Sequence, residues 1–253
     1  MGFVATAHAA EGISVKLSPY VVGHIGSMPI TATLLTTWLA MGILLVGAWL
    51  LRRKLQAVPG KMQAMAELLI GGAYDYTVDT LENKDLARKY FPVLMTIFIF
   101  LLVMNWVGLL PGVTSIGYYD HGKLIPFFYP PATDLNIAIA FALVAMFVIE
   151  LAGIAALGVF KYGGKFVNFS SPLAFVVGLI ELISELGRVV SFSFRLFGNI
   201  FAGKTLLTVA IFFVPLLLPI PILFYELFVG FIQAGVFAFL TLIFIKLAVA
   251  EPH

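Results

Sequence analysis

Five ionisable side chains share one long apolar stretch: Glu181, Glu185, Arg188, Arg195 and Lys204. Each costs at least ~2.5–3.5 kcal/mol near the centre of a bilayer, so membrane helices avoid such groups unless they have a function. At about 100° per residue, Glu181, Glu185, Arg188, Arg195 and Asn199 fall within about 80° of one another, with Ser184 and Ser191 at the edge of the stripe. A second apolar stretch carries Glu226 and Gln233, seven residues apart and so on one helical face. Carboxylates placed this way exchange protons as their surroundings change, and a guanidinium keeps its charge throughout.

These charges differ in how easily they satisfy one another. Glu181 and Glu185 are both spaced to pair with Arg188, so a helix-gluing role and a functional role stand level for Glu185 and Arg188. Arg195 has no acid within one helical turn and lies ~21 Å along the helix from Glu181. Its partner must come from another helix, another chain or water, and a functional role is the default.

The elements that position these groups follow from composition and length. Of 253 residues, 61% are hydrophobic and 11% charged, against roughly 25% charged in a soluble domain. Mean hydropathy is +1.05, so lipid must cover most of the surface. The absence of cysteine excludes a disulfide framework, a Cys-ligated zinc and a Cys nucleophile. His8, His24, His121 and His253 all fall outside the apolar spans, which excludes a histidine metal centre in the membrane. The basic residues form no patch with interleaved aromatics, so no nucleic-acid partner is expected.

The pattern predicts an all-α integral membrane protein, a single transmembrane domain over residues 1–253. Five membrane-spanning helices are expected at about 30–51, 92–110, 134–160, 172–214 and 221–250. The opening MGFVATAHAA lacks a basic start and a sufficient apolar run, so residues 1–29 read as a short mature tail. Residues 59–81 read as one amphipathic surface helix. The run from Pro172 would make a helix of roughly 64 Å, about twice the hydrocarbon thickness, so it must tilt steeply or kink at Gly178, Gly187, Gly198 or Gly203. With Pro215 and Pro219 marking a turn, the last two helices are expected to form a long, steeply tilted hairpin. Seven Lys/Arg at 52–90 and two at 161–165 oppose only Lys16 and Lys123, which puts the N-terminus outside and the C-terminus in the cytoplasm.

The run Ser191-Phe-Ser-Phe-Arg195-Leu-Phe-Gly-Asn199-Ile-Phe-Ala-Gly203 resembles the signature of subunit a of F-type ATP synthases. Glu181, Met104-Asn105 with Leu109-Leu110-Pro111, Pro131-Ala132-Thr133-Asp134-Leu135-Asn136, and Ile232-Gln233-Ala234 with Phe237 and Leu240-Thr241-Leu242 match in family order. The resemblance covers roughly residues 20–250.

It implies a non-catalytic stator subunit without a nucleotide site or cofactor. Its partners would be a ring of c subunits, b-type peripheral stalk subunits, the rest of the synthase and membrane lipid. The opening residues do not read as a transit peptide, so a bacterial inner membrane is the expected location, although organelle-encoded members would lack one too. The translocated ion would be the proton in preference to sodium. Arg195 would face the carboxylate of each c subunit between two offset aqueous half-channels. Each proton crossing 100 mV supplies about 2.3 kcal/mol, so several are needed per ATP.

By the same resemblance Glu181, Asn199, Glu226 and Gln233 line the path. Lys204, Asn105, Asp134, Asn136 and Ser191 are weaker candidates. Interhelical hydrogen bonding fits Asn105 and Asn136 equally well, and Asp134 fits a helix N-cap. Glu150 matches no motif and reads as a packing or interface acid. The sequence departs from the family pattern at Lys204, where many members have an acid or histidine, and an ion pair of Lys204 with Glu226 would keep the logic of that pair. Gly108 and Val189 also depart, where an acid and a proline are common. An independent secondary transporter is disfavoured by the absence of an internal repeat. An intramembrane hydrolase is disfavoured because the spans hold no nucleophile–base set.

Overall fold

The computed structural model describes residues 19–56, 58–110, 112–120, 123–166, 172–215 and 217–250. Residues 1–18 of the expected tail, Pro111, His8, His121 and His253 lie outside them. The rest of that tail is not plain coil. β1 (Val21–Ile25) pairs antiparallel with β2 (Met28–Thr31) around a two-residue turn, where Gly26 takes φ 60°. A glycine at the first turn position closes such hairpins without a side-chain clash. β3 (Gly117–Asp120) and β4 (Lys123–Pro126) form a second hairpin in the polar loop. The expected all-α protein therefore carries two small β-hairpins at its loops.

Everything else is helical. α1 (Ala32–Lys54) starts where the Thr31 hydroxyl accepts from the Leu34 N–H at 3.2 Å. α2 (Lys61–Leu81) ends at Glu82, whose φ of 53° turns the chain toward α3 (Lys84–Leu109). α3 begins eight residues before the expected Pro92. The Asn83 side chain accepts from the N–H groups of Asp85 and Leu86, and this cap starts the helix with Pro92 inside it. α4 (Leu135–Leu157) leads through the short α5 (Val159–Gly163) to α6 (Pro172–Phe213) and α7 (Pro219–Val249).

Among the described residues α1, α3, α4 and α7 are long and apolar enough to cross a membrane. Length and composition thus account for four of the five expected spans. α6, which carries the charged stripe, is not one of the four.

α7 packs on α2, α3, α4 and α6 and so forms the centre of the bundle. α4 meets its neighbours through Ala138, Ala142, Ala145, Ala152 and Gly153, all buried. Gaps of four, three and seven put the four alanines on one face of α4, and Gly153 borders it, which lets helices approach closely where burial from water supplies no driving force. Phe192 of α6 and Phe237 of α7 meet edge to face at 4.6 Å between ring centroids and key the hairpin together. Outward, Ile183, Leu186, Val190 and Phe194 leave α6 with an exposed apolar face.

Candidate functional site

The packing of α6 determines which part of its polar stripe is covered. Its buried residues include Gly178, Glu185, Phe192, Leu196, Gly203 and Ala210, whose mean direction lies about 60° round the helix from Arg188 and about 80° from Arg195. Arg195 therefore sits at the rim of the packed face rather than in its middle. It is half-buried, and its Nη2 donates to Ser191 Oγ over a long 3.4 Å. Ser184, Gly187, Arg188, Ser191 and Arg195 line a cavity of about 350 Å³. Among the described residues no carboxylate pairs with Arg195.

One turn further, Asn199 Nδ2 donates to Gln233 Oε1 at 2.6 Å, which ties α6 to α7. Gln233 is buried, and its Nε2 has no partner. Another turn on, the Glu226 carboxylate fills the space beside Gly203, where an added Cβ would overlap it. Glu226 is only 2% exposed. Arg195, Asn199, Gln233 and Glu226 thus follow one another along the α6–α7 seam.

Lys204 does not join this seam as expected. Among the described residues no ion pair links it to Glu226, and its Nζ lies 5.3 Å from the centre of the Tyr129 ring. The reason is angular: Gly203 faces α7, and Lys204 points about 100° farther round the helix. Glycine at 203 admits the glutamate, and the lysine beside it is turned away. In the loop before α4, burial raises the Tyr129 pKa to about 12, with Tyr20 adding to the shift, so its phenol keeps its proton.

Three weaker candidates serve the architecture. Asp134 Oδ1 accepts from the Asn136 N–H at 3.0 Å and from Asn136 Nδ2 at 3.1 Å, and its Oδ2 accepts from Thr33 Oγ1 at 2.9 Å. Asp134 is therefore the N-cap of α4 and a link to α1, and it engages Asn136 in the same turn. Asn105 Nδ2 donates to the Gly230 carbonyl at 3.2 Å, bridging α3 to α7 at the level of Glu226, while its buried Oδ1 stays unpartnered.

At the other end of α6, Glu181 is taken up by Lys165 at 2.5 Å. Arg188 is taken up by Glu185 at 2.5 Å and lies 4.6 Å from the Phe244 ring centre. Sequence reasoning missed Lys165, Tyr162 and Gly203 as neighbours of these acids. Only Gly203 left a trace, as the gap in the stripe two turns beyond Arg195. Among the described residues no cluster of His, Asp and Glu could hold a metal ion.

The profile of the ATP synthase A chain family matches residues 34–246 of this chain. The chain is 33% identical to the ATP synthase subunit a of Moorella thermoacetica over 227 residues, 90% of this chain and 94% of that one. It is 34% identical to the ATP synthase subunit a of Geotalea daltonii over 217 residues, 86% of this chain and 87% of that one. With ATP synthase subunit a 2 of Syntrophotalea carbinolica it shares 36% identity over 220 residues, 86% of this chain and 85% of that one. The chain that places an unpaired arginine at the rim of a helix hairpin belongs to the ATP synthase A chain family.

Proposed function

We propose that this chain is the proton-conducting stator subunit of an ATP synthase, with Arg195 as its working charge. The observation that carries the reading is the isolation of Arg195. Every other cation on α6 has a partner or a ring to lie on, whereas Arg195 is held at the rim by a single weak serine contact. A fixed charge in this position suits a carboxylate that arrives from outside the chain, as on a rotating ring of c subunits.

The chemistry follows from two opposing effects on that visiting carboxylate. Burial in lipid raises its pKa and keeps it protonated; the guanidinium lowers it and releases the proton. As a carboxyl nears Arg195 its proton leaves by one aqueous half-channel, and once past it the carboxylate is reprotonated from the other. Arg195 also blocks direct passage between the two, because a proton crossing there meets a permanent positive charge.

Glu226, with Gln233 and Asn199, offers the relay on one side, and Glu181 the relay on the other. α6 counts as the fifth span: its length and the apolar face opposite the stripe support a steeply tilted membrane helix, with the N-terminus outside and the C-terminus in the cytoplasm. Lys84, Arg88 and Lys89 at the start of α3 support that orientation. Residues 59–81 fit an amphipathic helix at the cytoplasmic surface. The b-type peripheral stalk would hold the subunit against the ring.

The test is Arg195→Ala in the complete complex, assayed for ATP synthesis driven by a proton gradient. Synthesis is lost while the complex still copurifies with its ring and soluble sector. Retained coupled synthesis would sink the mechanism.

A further inference from the structure

Four polar groups from three helices converge at the end of the bundle away from Glu226. They are Glu150 on α4, Tyr162 on α5, and Glu185 and Arg188 on α6. Tyr162 is 3% exposed and Glu185 6%. The Tyr162 ring packs so closely on Gly153 that any side chain there would overlap it. Among the described residues three oxygens in this cluster are buried without a hydrogen-bond partner: Glu150 Oε1, Tyr162 Oη and Glu185 Oε2. The tyrosine hydroxyl stands beside the Glu150 carboxylate, near enough to interact, but outside good hydrogen-bond geometry.

Buried polar atoms are rarely left unpaired, and a group of three points to something that joins them. The charges say what it must carry. Two carboxylates face one guanidinium, which binds only Glu185 Oε1. Lys165, the next cation, is paired with Glu181. On α5 Lys161 stands exposed, and on α7 Lys246 pairs with Glu82 at 2.7 Å. The cluster is one positive charge short of neutral.

We propose that Glu150, Tyr162 and Glu185 form a water-bridged site that stores one proton on the cytoplasmic side of the ion path. The proposal rests on the reading of Arg195 given above. Arg188 connects the two regions, since it lines the Arg195 cavity and binds Glu185. A proton arriving through that cavity binds Glu185 Oε2, and a bridging water then carries it to Glu150 Oε1. It leaves from there to surface water and restores the carboxylate pair. Tyr162 does not relay: burial, then the neighbouring Glu150 and Glu185, hold its pKa well above the ordinary phenol range. Its hydroxyl instead donates to whichever carboxylate is ionised, while Arg188 is a positioning residue that holds Glu185 in place.

The experiment uses the intact synthase in inverted membrane vesicles, where the medium bathes the cytoplasmic face. ATP-driven proton uptake is followed against external pH for the wild type, Glu150→Gln, Tyr162→Phe, Glu185→Gln and Arg195→Ala. Glu150→Gln should slow uptake by about tenfold, less than the hundredfold or more expected where a proton-transfer group has no parallel route. Its pH profile should also shift, which a merely structural role would not produce. Tyr162→Phe should shift the profile with a smaller loss of rate. If Glu185→Gln fails to assemble because Arg188 loses its partner, the other two variants leave that pair intact and decide the matter.

Infrared difference spectra after a pH jump should show a protonated-carboxyl band in the wild type that Glu150→Gln removes. Unchanged uptake and pH profile in assembled Glu150→Gln and Tyr162→Phe complexes would overturn the proposal, as would a rate governed by sodium instead of pH. The arginine variant separates the two readings. If Arg195→Ala is inactive and Glu150→Gln is normal, only the proton store fails; if Arg195→Ala still couples, the assignment of Arg195 fails.

Discussion

The two ends of α6 use the same kinds of residue to opposite effect. Toward Arg195 and Gly203 the charges stand apart: the guanidinium has only a long serine contact, and Glu226 is sealed beside a glycine. Toward Glu181 and Glu185 they are gathered into pairs with Lys165 and Arg188. The difference lies in what α6 packs against. Near Glu185 the neighbouring α4 and α5 bring Glu150 and Tyr162, whereas beside Phe192, Leu196 and Ile200 α4 and α7 present alanines and Phe237. A charge left unpaired within a folded bundle is available to something outside it, and a paired one is held in place by its partner.

Arg195→Ala should break this contrast most completely. It removes the open guanidinium and should cut coupled synthesis by more than about a hundredfold, the scale of losing a preorganised charge from a low-dielectric site. Gly203→Ala tests the sealed end. The new methyl would displace the Glu226 carboxylate, and coupled synthesis should fall by about tenfold, within the loss that ~1 Å misplacements produce. Adding Glu226→Asp, shorter by one methylene, should recover part of that loss. No recovery in the double variant would show that the seat beside Gly203 is not what matters.

A smaller effect separates scaffold from path. Asp134→Ala removes the α4 cap and breaks the link to α1, leaving the Thr33 hydroxyl with Thr31 Oγ1 at 2.8 Å. It should lower the stability of the subunit by about 1–3 kcal/mol, read as earlier thermal loss of the complex, with coupling per assembled complex unchanged. Coupling lost at full stability would return Asp134 to the path. The smallest effect concerns Lys204 and Glu226. Because they face different ways, reversing both charges should add the two single effects to within about 0.5 kcal/mol. A double reversal that restores activity would mean that they meet in the working complex.

Much of this arrangement is legible in the residues. The helical repeat of Glu181, Glu185, Arg188, Arg195 and Asn199 marks one face, and the absence of an acid near Arg195 marks it as unpaired. The capping role of Asp134 is equally local, since a cap binds within its own turn. The Lys204 pairing failed because proximity in sequence says nothing about a neighbouring helix: one residue along α6 turns a side chain by about 100°. The early start of α3 was hidden because Pro92 reads as a boundary, whereas the Asn83 cap overrides it.

The amino-acid sequence by itself determined that the protein needs a lipid surface, that its chain folds into long helices, and that Arg195 has no partner close by in its own helix. Those properties depend on composition and on the 3.6-residue period, which are local. Tertiary structure alone decided that Glu226 fits against Gly203, that Lys165 claims Glu181, and that Glu150 and Tyr162 meet Glu185. Each of these contacts joins segments far apart in the chain, and helix packing, unlike periodicity, determines which faces meet.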